Sequence, residues 1–153
     1  MFASEIRKQL AHIKNFIGVF SRDNIPQNLK GPVGLIVNTD TSDLPGAHWI
    51  AIYIDENQIG EYFDSYGLPP LYAEFEDFLT RECTNGWMYN RITLQCTICV
   101  TCGEYCVAYL LNRFYGGSYA DYISLFTSNT YKNDDLIKIY FDLLNKNIQK
   151  YLN

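Results

Sequence analysis

Four residue types that together perform thiol chemistry occur in this 153-residue sequence: a cysteine followed by glycine, a histidine, an acid and a glutamine. Cys102-Gly103 stands just before an apolar run, and Thr101 and Glu104 have the spacing of a capping box, which predicts that Cys102 is the first residue of a helix. A sulfur there feels the positive end of the helix, and a neighbouring imidazolium would lower its proton affinity further, giving the nucleophilic thiolate. Gly103 leaves room for a carbonyl to approach, and the unpaired N–H of Cys102 can donate to a developing oxyanion. Gln95 offers a second donor if the six residues between it and Cys102 fold back.

The search for a base is short, because there are two histidines. His12 falls off the stripe of Ile6, Leu10, Ile13 and Ile17, and a solvated surface position is expected for it. His48 follows the turn-forming Pro45-Gly46 and opens the β-prone run Trp49-Ile50-Ala51-Ile52-Tyr53-Ile54, so its ring is expected at a sheet edge that a cleft can reach. On this fact alone, a hydrogen-bonded histidine at a strand end is the favoured account of it. Trp49 and Gly103 are the residues expected to line the substrate cleft.

The next β-prone run, Ile59 to Phe63, ends in Asp64-Ser65-Tyr66-Gly67, and the segment between the runs is short enough for a hairpin. A three-residue loop, Asp55-Glu56-Asn57 with Asn57 left-handed, would set His48 opposite Asp64. A two-residue loop, Glu56-Asn57, would set Trp49 there instead. The first register lets the carboxylate accept from the imidazole and stabilise its cation, although an Asp before Tyr-Gly is also an ordinary turn residue.

Four of the five cysteines fall within eleven residues. Buried thiols are the simple reading for Cys83, Cys96, Cys99 and Cys106. A rival reading is a metal or iron–sulfur site, since Cys96-x2-Cys99-x2-Cys102-x3-Cys106 has the spacing of a ferredoxin run, but Val107 follows where such runs have proline, and only Cys83 remains as a further ligand. A binding module without catalysis is the third class.

These residues need a scaffold, and the composition supplies one. Nearly half the residues are apolar, with 13 tyrosines and nine phenylalanines, and this length buries a core without disulfide staples. A helix is predicted over 4–17, with Ser4 as N-cap, and short strands at 35–37, 49–54, 59–63 and 88–94. Helices are predicted from Pro69-Pro70 to Leu79, over 102–115, in a segment opened by Ser118, and from Asn133 onward with Leu136, Ile139, Tyr140, Leu143, Leu144, Ile148 and Leu152. The expected architecture is α+β, one domain over 1–153 with a small, mainly antiparallel sheet against helices. A net charge of −5 with scattered basic residues argues against strong DNA binding. Neither a secretory leader nor an apolar run near ~20 residues is present, so an intracellular, membrane-free monomer is expected.

With those residues in view, the chain resembles the adenovirus-type maturation proteases and, more distantly, the SUMO-specific proteases. The landmarks are Phe16-Ile17-Gly18-Val19-Phe20, Ile36-Val37-Asn38-Thr39, Gly46-Ala47-His48-Trp49, Phe63-Asp64-Ser65-Tyr66-Gly67, and Gln95 with Cys102-Gly103, spread over about residues 16–112. The resemblance implies a cysteine endopeptidase cleaving at Gly-Gly or Gly-x sites through a thioester, with Cys102 as nucleophile, His48 as base, Asp64 orienting it and Gln95 binding the oxyanion. It implies a capsid precursor as substrate, or alternatively a ubiquitin-like modifier. Adenoviral enzymes are basic and are stimulated by DNA and a disulfide-linked peptide. This chain departs from them, being acidic and without a cysteine within 88–94, so activation by DNA or by a disulfide-linked peptide is not expected and no cofactor is expected to be required.

Overall fold

A computed structural model describes residues 1–151, with side chains described through Lys146; the expected apolar positions Ile148 and Leu152 lie outside the described side chains. Five strands form one sheet in sequence order: β1 (Phe16–Ser21), β2 (Val33–Asn38), β3 (Trp49–Ile54), β4 (Gly60–Phe63) and β5 (Trp87–Tyr89). The expected antiparallel arrangement holds for the central three, while β1 runs parallel to β2 and β5 parallel to β4. Around them stand α1 (Ala3–Leu10), α2 (Ala73–Glu82), α3 (Cys102–Phe114), α4 (Tyr119–Ile123) and α5 (Thr130–Tyr151).

The alternation along β2 and β3 explains the layering. Leu35, Val37, Ile50, Ile52 and Ile54 join Tyr62 beneath Phe75, Phe78 and Leu79 of α2. Ile36, Ala51 and Tyr53 face the other way and pack with α1, α3, α4 and α5. Each fully buried large apolar side chain contributes roughly 1.5–3 kcal/mol. The central strands are thus a stiff base for whatever stands at their ends.

Several sequence expectations change here. The first helix ends at Leu10, because Phe16–Ser21 pairs with β2 as a strand; Ile13 and Ile17 continued the helical spacing by coincidence. Its N-cap is Phe2, whose N–H is taken by the Glu5 carboxylate, rather than Ser4. Strand β5 stops at Tyr89, and residues beyond it form an irregular segment. Among the described side chains of α5, the buried ones are Asn133, Asp134, Ile137 and Phe141, with Leu136, Ile139, Tyr140 and Leu143 exposed. At α4 the expected cap is present: Ser118 Oγ accepts from the Asp121 N–H and Asp121 accepts from that of Ser118. Among the described residues no helix is long and apolar enough to cross a membrane.

Candidate active site

The β3–β4 hairpin takes neither predicted register. Ile54 pairs with Gly60 and Ala51 with Phe63, leaving a loop of Asp55 to Ile59. Asp55 shapes it, since its carboxylate accepts from the N–H groups of both Asn57 and Ile59, and Gln58, not Asn57, takes the left-handed conformation, with φ 57°. Carried three residues further, this register sets His48 against Tyr66, and their rings stack with centroids 4.8 Å apart. Asp64 nevertheless reaches the imidazole. β4 ends at Phe63, the chain turns with the Gly67 N–H donating to the Asp64 carbonyl, and the Asp64 carboxylate lies 2.8 Å from His48 Nε2. The same Oδ1 accepts the Tyr66 N–H, so Asp64 is both turn former and histidine partner.

His48 stands at the end of β3, which is the central strand, so it occupies the end of the sheet and not its lateral edge. The loop before it is held by Asn38, whose Oδ1 accepts from the N–H groups of Asp40 and Ala47. Gly46 in that loop has φ 99°, a conformation that a side chain resists. The carboxylate contact at Nε2 leaves Nδ1 for the other side of the ring.

Cys102, the first residue of α3, is the second group that hydrogen-bonds the ring. Burial disfavours the imidazolium, but hydrogen bonding to Asp64 and to Cys102 outweighs it and raises His48 to about 9. Burial likewise pushes the Cys102 thiol up, and the hydrogen bond and charge of His48 more than reverse this, so its proton affinity falls below that of an ordinary thiol. The two shifts describe one thiolate–imidazolium pair. The predicted capping box is absent: the Thr101 hydroxyl donates to Asp134 of α5 at 2.8 Å instead, which docks the start of α3 onto α5.

Gln95 is 1% exposed and lines the same cleft as His48 and Cys102. Its Oε1 accepts the Ser65 hydroxyl at 2.6 Å, which fixes the amide's orientation, and its Nε2 donates to the Cys99 carbonyl at 2.6 Å. An amide nitrogen has two hydrogens, so one donor remains. The cleft, about 890 Å³, also takes in Trp49, Tyr66, Leu44, Ile98 and Val100, with the N-terminal residues Met1 to Ser4. Gly103 has a different job from the expected one. A Cβ there would meet the Met1 side chain at 2.8 Å and Trp49 Cδ1 at 3.4 Å, so the missing side chain admits Met1 and Trp49 rather than substrate. The Trp49 indole N–H in turn donates to the Met1 carbonyl at 3.0 Å.

No family model matches the chain, and no curated protein matches it. Among solved structures it superposes on the pS273R protease of ASFV with a TM-score of 0.52 and 27% identity, over 67% of this chain and 40% of the protease. The chain has a viral cysteine-protease-like fold. It spans about 40% of that protease's length. The central domain of Lpg1148 from Legionella pneumophila matches with a TM-score of 0.51 over 88% of both chains, and at 14% identity that likeness speaks for the fold alone.

Sequence reasoning missed the residues that hold the site. Asn90, 1% exposed, accepts from the Asp64 N–H at 2.8 Å and donates to the Asp64 carbonyl. Ser65 accepts at its carbonyl from the N–H groups of Leu94 and Gln95 as well as donating to the Gln95 side chain. Asn90 sat inside a presumed strand, where an isolated polar residue was the one available signal.

The four-cysteine run does not converge. Cys106 is fully buried and its thiol donates to the Trp49 carbonyl, whereas Cys83 lies in the apolar layer under α2. Cys99 is partly exposed, against the expectation of a buried thiol. Among the described residues, the donor atoms that gather as a metal set would are those of Cys96, Cys99 and Asp134.

Proposed function

We propose that this chain is a cysteine peptidase in which Cys102 attacks the substrate carbonyl, His48 carries the proton and Asp64 holds the imidazole. The observation that supports this most directly is the line from Asp64 through His48 to Cys102, opening on a cleft at the start of a helix. The thiolate adds to the carbonyl carbon, and the oxyanion meets the Cys102 N–H and the remaining Gln95 amide hydrogen. The imidazolium then protonates the departing amine, leaving a thioester. Neutral His48 next takes a proton from water, whose oxygen displaces the sulfur. The pathway needs no metal or cofactor.

The finer reading, that cleavage follows glycine in capsid precursors of a viral or virus-like element, rests on the resemblance to adenovirus-type proteases. Trp49, fixed over Gly103 by its bond to Met1, suits substrates with no side chain beside the scissile bond. An intracellular, monomeric enzyme indifferent to DNA fits the acidic composition.

The test is cleavage of Gly-Gly peptides together with labelling by a glycyl vinyl sulfone. The wild-type chain should cleave and take the label on Cys102, and Cys102→Ala should lose both. Cleavage that survives in Cys102→Ala, or a label that settles on another cysteine, would remove the reading.

A further inference from the structure

The proposed reaction leaves Cys96 and Cys99 unused, although both stand in the loop between Gln95 and the nucleophile. The Cys99 N–H donates to the Cys96 carbonyl at 3.2 Å, closing a four-residue turn. Such a turn holds its end Cα atoms within about 7 Å, overlapping the ~4.4–6.8 Å that disulfides span. The two sulfurs and a carboxylate oxygen of Asp134 all lie within 4.8 Å of one another.

The surroundings divide the labour between the sulfurs. The Ile98 N–H, the Cys99 thiol and the Tyr131 hydroxyl point to the Cys96 sulfur and hold its proton affinity below the usual thiol value, despite burial. Cys99 is pushed up to about 12 by the Cys96 sulfur and the Asp134 carboxylate, which compete for its proton. Asp134 is itself immobile, 2% exposed and accepting from the Cys96 N–H, the Thr101 hydroxyl and the Tyr105 hydroxyl. A thiolate beside a thiol is the pairing of an attacking and a resolving cysteine. A tetrahedral zinc site would need a fourth ligand; Cys102 is engaged with His48 and Cys106 with the Trp49 carbonyl.

We propose that Cys96 and Cys99 are a modification site, a dithiol that hydrogen peroxide converts to an intrachain disulfide, which a thiol reductant reverses. The Cys96 thiolate attacks one peroxide oxygen, so that an S–O bond forms as the O–O bond breaks and the departing hydroxide takes a proton from solvent to leave as water. The Cys99 sulfur then attacks the Cys96 sulfur; the S–S bond forms, the S–O bond breaks, and the second hydroxide leaves as water with the proton Cys99 gives up. Two thiols lose two electrons and the peroxide becomes two waters. Cys96 is 3% exposed, which favours a small oxidant over a bulky disulfide, and its partner Cys99 lines the cleft. This goes beyond the peptidase reading and stands even if Cys102 proves inert.

The experiment is peptide mapping of the full chain after hydrogen peroxide and iodoacetamide, following all five cysteines. The expected result is a Cys96–Cys99 crosslink lacking two hydrogens and refractory to alkylation until dithiothreitol is added, formed before irreversible oxidation at Cys83 or Cys106. In Cys99→Ser, Cys96 should instead be trapped by dimedone as sulfenic acid. Full alkylation of both cysteines after peroxide would overturn the proposal. So would their conversion to sulfinic acids without a crosslink, or one equivalent of zinc bound to the untreated chain and released on alkylation. The wild-type map decides the matter even if the serine variant fails to fold.

Discussion

Two ion pairs flank opposite ends of α3, and they are built alike. Near its first turn, His48 and Asp64 meet at 2.8 Å with side chains 16% and 6% exposed; near its last, Arg113 and Glu61 meet at 2.9 Å with side chains 16% and 14% exposed. What differs is what each cation has left over. Arg113 gives Nε to Glu61, another nitrogen to the Gly117 carbonyl, and its flat face to the Tyr53 ring 4.5 Å away, while the Tyr109 hydroxyl closes on the same carboxylate. A guanidinium has no proton to release at ordinary pH, so that assembly can only hold α3 to the sheet. His48 spends one nitrogen on Asp64 and keeps the other beside a thiol at a cleft. Reactivity therefore comes from an unspent, exchangeable proton site, and burial or bond length alone does not confer it.

The sharpest way to break this contrast is to remove the exchangeable site. His48→Ala should cost kcat/KM several orders of magnitude, about 10⁴-fold or more, measured per folded molecule because Asp64 loses its partner. A loss under tenfold would end the comparison. Asp64→Asn keeps the shape and removes the charge, and about 10²–10⁴-fold should be lost. Its pH profile carries the sign. Asp64 favours the imidazolium and helps raise His48 to about 9, so in the wild type the pair persists until pH rises through that value. Without the carboxylate the alkaline limb should move to lower pH, and Cys102 alkylation should need higher pH because its cationic partner is weakened; an unmoved profile would mean that Asp64 does not govern the ring. Gln95→Ala should cost about 10²-fold, mostly in kcat, because a donor to the transition state is removed. An effect confined to KM would place Gln95 outside the oxyanion site.

The residues proposed for the chemistry were singled out by their order along the chain, since the local signatures, a turn before His48, an acid at a strand end and a cysteine at a helix start, are each shared by ordinary structural residues. The strands β2 and β3 were legible through their β-branched runs, and β4 through the β-prone Ile59, Tyr62 and Phe63 around Glu61. Register was not, because it depends on how Asp55 spends its carboxylate on two loop N–H groups. Nor were the supports. Asn90 reaches Asp64 across 26 residues and Asp134 reaches Cys96 across 38, and no spacing rule announces a single polar side chain whose partner is that far along the chain. The start of α5 shows the same limit: its apolar positions suggested the packed face, yet the polar Asn133 and Asp134 are buried because irregular backbone at Leu94 to Cys96 needs partners.

The structural end of the comparison yields the smallest effect on activity and a separate effect on stability. Glu61→Ala would leave the Tyr109 hydroxyl, deeply buried and with its proton affinity raised by that burial and by Glu61, without its acceptor, and Arg113 without its carboxylate. Loss of one partner from a well-bonded pair costs up to ~5 kcal/mol when fully buried, but the pair here keeps some solvent, so about 1–3 kcal/mol is expected in chemical denaturation. Adding Arg113→Met should recover part of it, because an apolar chain can lie on Tyr53 and no unpaired charge remains. Per folded molecule, peptide cleavage should stay within about twofold of wild type in both variants, since neither residue lines the cleft. If instead kcat falls as far as it does for Asp64→Asn, the far end of α3 sets the position of Cys102, and the division between a holding pair and a reacting pair disappears.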